Sequence, residues 1–421
     1  MAIQQDNEVT KVVDHLFRHE SGKMVAVLTR VFGFANIEQA EDIVQDTIIR
    51  ALETWKFGKV PDNPQAWLYR TAKNKAIDLI RHQKVKHKIE SELAPLLKSE
   101  YTLVPSMNEM FRENEIKDSQ LRMMFACCHP AINTESQLTL MLKTLCGLST
   151  REIGNAFLSS EDTIQKRLYR TKEKIKEGHI SLDYPGADNM PARVDTVLKA
   201  LYLLFNEGYN SSHPEKLIRD DLCEEALRLT LLLTENPKTN LPQTNALLAL
   251  MCYQASRFGA RLDDKGFMVL LKDQDRTHWN KFLIERGNNY LNLSADGNRI
   301  HEYHLEAAIA SVHANAKSYE ETNWSMILQL YNNLLDRTNN PMVAINRCII
   351  LGEVEGYNKA IEELEKIKGL NGNCYYNTSL GEMYLKAGDK NNGIKLFQNA
   401  LELTSSNAEI ELIRRKINLC K

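Results

Sequence analysis

Apolar residues along this chain recur at helical spacing and almost nowhere in the alternation of a strand. From Ile37 to Trp55 the stripe is Val44, Thr47, Ile48, Ala51 and Trp55. Asp42, Asp46, Arg50 and Glu53 take the opposite face, with Gln45 beside them. An earlier helix is predicted from Val9 to about Leu28, and Gly33 breaks its pattern. Asn63-Pro64 predicts an N-cap followed by a first-turn proline, opening a helix from Pro64 to about Lys88. Ser119–Gly147 predicts two apolar helices. Gly147–Lys176 then predicts two short helices around a tight turn. Ser149 and Glu152 have the spacing of a capping box, and Ser159 is placed to cap the second helix, with Asp162 in the matching position. Ile153 and Ala156 point inward and Leu158 fills the turn. In the second helix Ile164, Leu168 and Ile175 share one stripe. Asp162, Lys166 and Arg170 lie opposite it, flanked by Thr163 and Arg167.

The turn-rich stretch Ser181–Arg193 marks a boundary, and beyond it the pattern is helical pairs. Helices are predicted at Val194–Gly208, Leu222–Leu233, Gln243–Phe258, His301–Ala316 and Trp324–Leu335. Near the C-terminus Tyr357–Ile367 aligns with Asn391–Leu401 at an offset of about 33 residues, close to the tetratricopeptide period of ~34. Ala360 answers Gly393, Ile361 answers Ile394, and Leu364 answers Phe397. Single helical hairpins also produce such a pattern. The fold class expected is all-α.

Composition alters this picture only locally. A chain of 421 residues favours two or three domains, and its net charge of −2 conceals uneven stretches. The Pro64–Lys88 helix carries Arg70, Lys73, Lys75, Arg81, Lys84, Lys86 and Lys88 against Asp78, with Trp67 and Tyr69 at its start. Cations neutralise phosphates and rings stack on unpaired bases, which suits a single strand or a distorted duplex. A core tryptophan beneath solubilising lysines gives the same pattern. Ile89–Asp118 is acidic and reads as a linker, with Pro95 and Pro105 inside and room for a short helix. The eight cysteines are scattered and form no CxxC, so neither a disulfide framework nor a zinc site is indicated. Cys127, Cys128 and His129 adjoin one another, but vicinal cysteines chelate one tetrahedral ion poorly. Buried thiols on an apolar helix ended by Pro130 are the expectation, with no metal, cofactor or catalytic residue. No signal-peptide core or membrane-spanning apolar run occurs, and a cytoplasmic location is expected.

The layout of Gly147–Lys176 is that of a helix-turn-helix, whose second helix places its N-terminal part in a DNA major groove. An ordinary hairpin with a solvated basic face is the alternative. Three stretches in order carry a resemblance to a known family: Ala40–Leu52 (AEDIVQDTIIRAL), Asn63–Arg81 (NPQAWLYRTAKNKAIDLIR) and Gly147–Ile175. Together they resemble the extracytoplasmic-function sigma factors of bacterial RNA polymerase. Cys127–Ile132, Leu201–Tyr209 and Asn340–Arg347 resemble the subgroup with a long C-terminal tetratricopeptide-like extension.

The resemblance implies a sigma region 2-like domain over 1–88, a linker over 89–118, a region 4-like helix-turn-helix domain over 119–178 and a helical extension over 185–421. It implies no enzymatic activity. Asp42, Gln45, Asp46 and Arg50 would dock on the β′ clamp helices of the core polymerase. Trp67, Tyr69, Arg70, Lys73, Asn74 and Arg81 would hold the −10 promoter element, and Thr163, Lys166, Arg167 and Arg170 would read the −35 element. The helix-turn-helix unit would also touch the β flap, and the extension would serve a regulatory ligand or protein partner. Lys166 stands where the family commonly has serine, so its contact is to base edges or to phosphates. A regulator that works without polymerase, its repeats acting as a sensor, is the competing expectation. Deleting everything after about Gly178 is expected to alter activity while leaving polymerase binding measurable.

Overall fold

The computed structural model describes residues 2–57, 60–84, 99–157, 159–210, 218–264, 266–297, 299–404 and 407–420. Among them are twenty α-helices and no strand, and one isolated antiparallel bridge pairs Leu262 with Met268. The all-α expectation holds. No helix among the described residues is long and apolar enough to cross a membrane. The chain forms two compact units. One comprises 1–207 with 224–239, and the other comprises 208–223 with 240–421.

The first unit begins with α1 (Ala2–Phe32), α2 (Ile37–Phe57) and α3 (Pro64–Lys84). Gly33, at φ +87°, turns the chain between α1 and the 3-10 turn Phe34–Asn36, a conformation that favours glycine. Val44, Thr47, Ile48, Ala51 and Trp55 are all buried, as the stripe predicted. Asn63 caps α3 by accepting from the Ala66 N–H at 2.9 Å.

The predicted linker is more ordered than expected over its second half. Glu100–Met110 forms α4, capped by Ser99, and Glu113–Cys127 forms α5, so residues 113–118 belong to the helix carrying Cys127. Val27 of α1, Met110 of α4 and Ile116 of α5 share a small core. Lys86 and Lys88 lie outside the described residues, as does the first half of the linker.

The helix-turn-helix is built from α6 (Thr134–Thr144), α7 (Thr150–Ala156) and α8 (Glu161–Glu177). The capping box forms: the Glu152 N–H donates to Ser149 Oγ at 3.1 Å, and the Ser149 N–H donates to Glu152 Oε2 at 2.8 Å. The second helix is capped by Ser160, not Ser159. Ser160 Oγ accepts from the Thr163 N–H, which displaces Asp162 from the partner position. Ile153, Ile164 and Ile175 are fully buried and Leu168 nearly so. Leu158 and the side chain of Ala156 lie outside the described residues.

These helices do not form separate bodies. Arg30 of α1 reaches Glu115 at 2.8 Å and Asp118 at 3.0 Å on α5. Gly22 of α1 lies against the backbone of Leu145, where a Cβ would stand 2.0 Å from the carbonyl oxygen. Two later helices complete the same unit: most of α9 (Met190–Tyr209), and α10 (Asp220–Glu235) from Glu224 onward. Arg193 of α9 donates to the Phe125 carbonyl. Arg228 of α10 pairs with Glu225 through two nitrogens at 2.7 and 2.8 Å and meets Gln120 of α5 at 3.3 Å. Residues beyond 185 therefore include part of the first unit's core, which local periodicity did not predict.

The second unit runs from α11 (Pro242–Ala255) through the short α12 (Phe258–Arg261), α13 (Lys281–Leu293), α14 (Glu302–Asn315), α15 (Trp324–Thr338), α16 (Pro341–Glu355), α17 (Tyr357–Glu365), α18 (Cys374–Lys386) and α19 (Lys390–Leu403) to α20 (Asn407–Cys420). The predicted repeat falls on α17 and α19. Ala360, Ile361 and Leu364 are buried in one core with Ile327 and Ile345, and Gly393 and Phe397 take the matching buried places two helices later.

Candidate polymerase and nucleic-acid interface

Three surfaces of the first unit gather the candidate residues. On α2, Asp42, Gln45, Asp46 and Arg50 are all exposed on one face, with Lys75 of α3 bridging to Asp46 at 3.1 Å. Ile49, 47% exposed, lies among them. The sequence stripe missed it because Ile48 beside it already satisfied the core. A single exposed apolar residue among charged neighbours is ordinary on a protein surface.

The second surface is a groove of about 670 Å³ along α3. Tyr69, Arg70, Lys73, Asn74 and Arg81 line it, with Val104, Asn108 and Phe111 on the far wall. Five of the six residues assigned to the −10 element are thus brought together. The sixth, Trp67, instead packs edge-to-face on Trp55, with ring centroids 5.3 Å apart. Tyr69 also has an internal task. Its hydroxyl donates to Glu20 at 2.5 Å, and its ring tilts against Phe111. Burial, then the Glu20 charge, pushes its phenol well above the usual range, so it stays a donor. Arg70 and Asn74 are exposed, Lys73 is half-buried, and Arg81 meets Asp78 at 3.6 Å.

The third surface is a recess of about 360 Å³ between α8 and the start of α6. Thr163, Lys166, Arg167 and Arg170 all line it, with Lys174. Their states differ. Lys166 meets Asp162 at 2.7 Å, but both are about two-thirds exposed, so the pair holds little energy and opens readily. Arg170 is exposed. Arg167 is tied inward: it bridges to Glu135 at 2.8 Å, reaches Thr139 at 3.4 Å and lies over the Phe157 ring. Three residues along the helix separate the tethered Arg167 from the exposed Arg170, and charge patterning could not distinguish them.

The lower half of α8 faces α2. Lys172 is 2.6 Å from Glu41, and Lys176 is 3.4 Å from Glu38. At the other end of the motif Arg18 of α1 meets Glu152 at 3.0 Å. Burial alone would raise the Glu152 carboxyl. The Ser149 backbone and hydroxyl, and then Arg18, outweigh it and hold the group at about 2.

Cys127 and Cys128 are almost wholly buried, and Cys127 Sγ lies 3.7 Å from Thr144 Oγ1. Burial pushes the Cys127 thiol up to about 12 and Cys128 higher, so both stay protonated and un-nucleophilic at neutral pH.

Two of these surfaces lie within a stretch that resembles a known family. Residues 16–85 match sigma-70 region 2, and residues 193–295 match a family of unknown function (DUF6596). The chain is 25% identical over 164 residues to the ECF RNA polymerase sigma factor SigE of Mycolicibacterium smegmatis, covering 39% of this chain and 60% of that protein. It is 24% identical over 155 residues to the ECF RNA polymerase sigma factor SigW of Bacillus subtilis, covering 37% of this chain and 82% of that one. The region 2 match contains α2 and α3 with their exposed faces, and together with these two relatives it supports a sigma-70-family factor. Over nearly its whole length the chain belongs to the family of the uncharacterized protein R00370 of Rhizobium meliloti. The two are 32% identical over 388 residues, 91% of this chain and 90% of that protein.

Proposed function

We propose that this protein is a sigma factor that recruits core RNA polymerase to a restricted set of promoters, with a C-terminal extension acting as its regulator in cis. The observation that carries the reading is the gathering of five of the −10 candidates along one groove within the region 2 match. The α2 face with Asp42, Gln45, Asp46 and Arg50 docks on the β′ clamp helices, and Ile49 adds apolar contact. Arg70, Lys73, Asn74 and Arg81 follow the non-template strand of the −10 element, while Tyr69 holds α3 against α1. Thr163, Lys166 and Arg170 meet the −35 duplex, and the helix-turn-helix also meets the β flap. The polymerase supplies catalysis, so the chain needs no nucleophile or metal of its own. Two weak DNA contacts that engage together reinforce one another. The helical pairs of the second unit serve as a tetratricopeptide-like platform for the regulatory signal.

Run-off transcription with purified core polymerase on a fragment library tests this, with promoters read from the products. Charge reversal at Asp42 and Asp46 should abolish both core binding and transcripts. Retention of specific DNA binding and biological output without core binding would favour a regulator that works without polymerase.

A further inference from the structure

The groove along α3 has a second wall, α4, which lies outside the residues matched to sigma-70 region 2. α4 turns Leu103, Met107 and Met110 into the core, with 0%, 0% and 6% of their surfaces exposed. Tyr101, Val104 and Asn108, spaced i, i+3 and i+7, share the adjacent stripe. Val104 and Asn108 line the groove, and Asn108 Oδ1 accepts from Lys73 Nζ across it at 2.5 Å. Tyr101 sits one turn before Val104 on that stripe and keeps 93% of its surface open, more than any other large apolar side chain among the described residues. Isolated exposed apolar residues are ordinary on protein surfaces. This one differs in its surroundings: it continues a stripe that already walls a cationic groove, and its neighbour Val104 is also left bare at 38%.

We propose that α4 is the second wall of a channel for unpaired promoter DNA. Tyr101 is the stacking platform at its mouth, and Asn108 is a base-edge hydrogen bonder inside. The inference rests on the sigma-factor reading and extends its DNA contacts beyond region 2. Cations on one wall track the phosphates, and an aromatic ring on the other takes a base face, which is the combination that single strands need. The occupant is a single strand because a recess between two helices accepts splayed bases, whereas a duplex groove is read by a helix that projects into it. Asn108 presents both donor and acceptor once Lys73 turns from it to a phosphate, and their exposed contact yields readily.

The test uses holoenzyme reconstituted with core polymerase and a fluorescein-labelled promoter fragment from the run-off selection. One probe is fully paired, and the other is forked so that the non-template −10 strand is unpaired. Tyr101→Ala should weaken binding to the forked probe by about 5- to 150-fold, the range of one lost base stack. It should leave the paired probe and core binding unchanged, and Tyr101→Phe should retain forked-probe affinity. Equal loss on both probes, or no loss while Arg70→Ala/Arg81→Ala weakens forked binding, overturns the role of α4 and leaves the α3 site standing. If the arginine variant also binds the forked probe normally, the α3 reading falls and the inference with it.

Discussion

The ammonium group of Lys172 lies 2.6 Å from the Glu41 carboxylate, and this pair fastens the helix that follows the turn to the first turns of α2. Both side chains are mostly buried, 14% and 20% exposed, so the pair is screened less than a surface bridge. Lys172→Glu should therefore destabilise the protein by about 1–3 kcal/mol, because two carboxylates then share a desolvated space. The exchange Lys172→Glu/Glu41→Lys should recover part of that loss. Urea unfolding of the four proteins gives the coupling energy; a value near zero would show that the two side chains do not interact in solution.

Gly22 tests the same interlock by shape instead of charge. A methyl group there meets the Leu145 backbone, which cannot rotate away as a side chain can. Gly22→Ala should lower stability by about 2 kcal/mol or more. Gly186→Ala is the matched control. Gly186 has φ −57° and nothing within 4 Å of an added Cβ, so its substitution should be neutral or slightly stabilising. Equal thermal midpoints for the two variants would mean that α1 and the loop after α6 do not pack this closely.

How much of this was visible beforehand divides along one physical line. Periodicity reports which face of a helix is buried, and the stripes of α2 and α8 came out as expected. It does not report what covers that face. The placing of α9 and α10 in the first unit depends on Arg193 reaching Phe125 and Arg228 reaching Gln120, partners 68 and 108 residues away. Local competition was equally hidden. Ser159 and Ser160 have the same capping chemistry, and the register of Thr163 selects the second. Residues 113–118 looked like linker because acidic composition outweighed a helical pattern that α5 continues. At the site, the charges on α3 were evident and Trp67 was left open between base and core, but the internal contacts of Tyr69 with Glu20 and Phe111 gave no sign. A sequence cannot show that a ring already has a neighbour.

The truncation after about Gly178, expected to alter activity while leaving polymerase binding measurable, meets an obstacle in these contacts. Cutting there removes Arg193, Glu225 and Arg228 and bares the faces of α5 that they cover. The 1–178 fragment should unfold without cooperativity, whereas a fragment ending at Thr239 keeps every residue of the first unit. Calorimetry of the two fragments decides between these expectations, and a sharp transition in the shorter one would restore the original boundary.

Glu152 makes a pH-dependent contribution whose sign is fixed. Its carboxyl is held at about 2, below its ordinary 4.5, so folding favours the ionised form. The resulting stabilisation is present above the unfolded value and fades as pH falls from about 4.5 toward 2. Its ceiling is on the order of 2–3 kcal/mol. Glu152→Gln should cost about 1–3 kcal/mol at pH 7, and the gap from the parent protein should narrow steadily below pH 4.5. A gap that is constant with pH would place the loss in packing, not in charge.

Arg167 and Arg170 stand three residues apart on α8, and the structure gives them opposite roles. Arg170 is exposed over the recess, with no ion pair among the described residues. Arg170→Ala should weaken promoter binding and lower the magnitude of the salt slope by about one ion, with thermal stability unchanged. Arg167 is bound to Glu135, Thr139 and the Phe157 ring and is itself 20% exposed, so Arg167→Ala should cost about 1 kcal/mol of stability, mostly through lost packing of its stem, since the exposed Glu135 stays solvated. Any loss of DNA affinity should follow from that loosening and be largely independent of salt. Binding isotherms at several salt concentrations, paired with urea unfolding, separate the two. A salt slope reduced by Arg167→Ala at unchanged stability would mean that this side chain leaves Glu135 and turns to phosphate when DNA arrives.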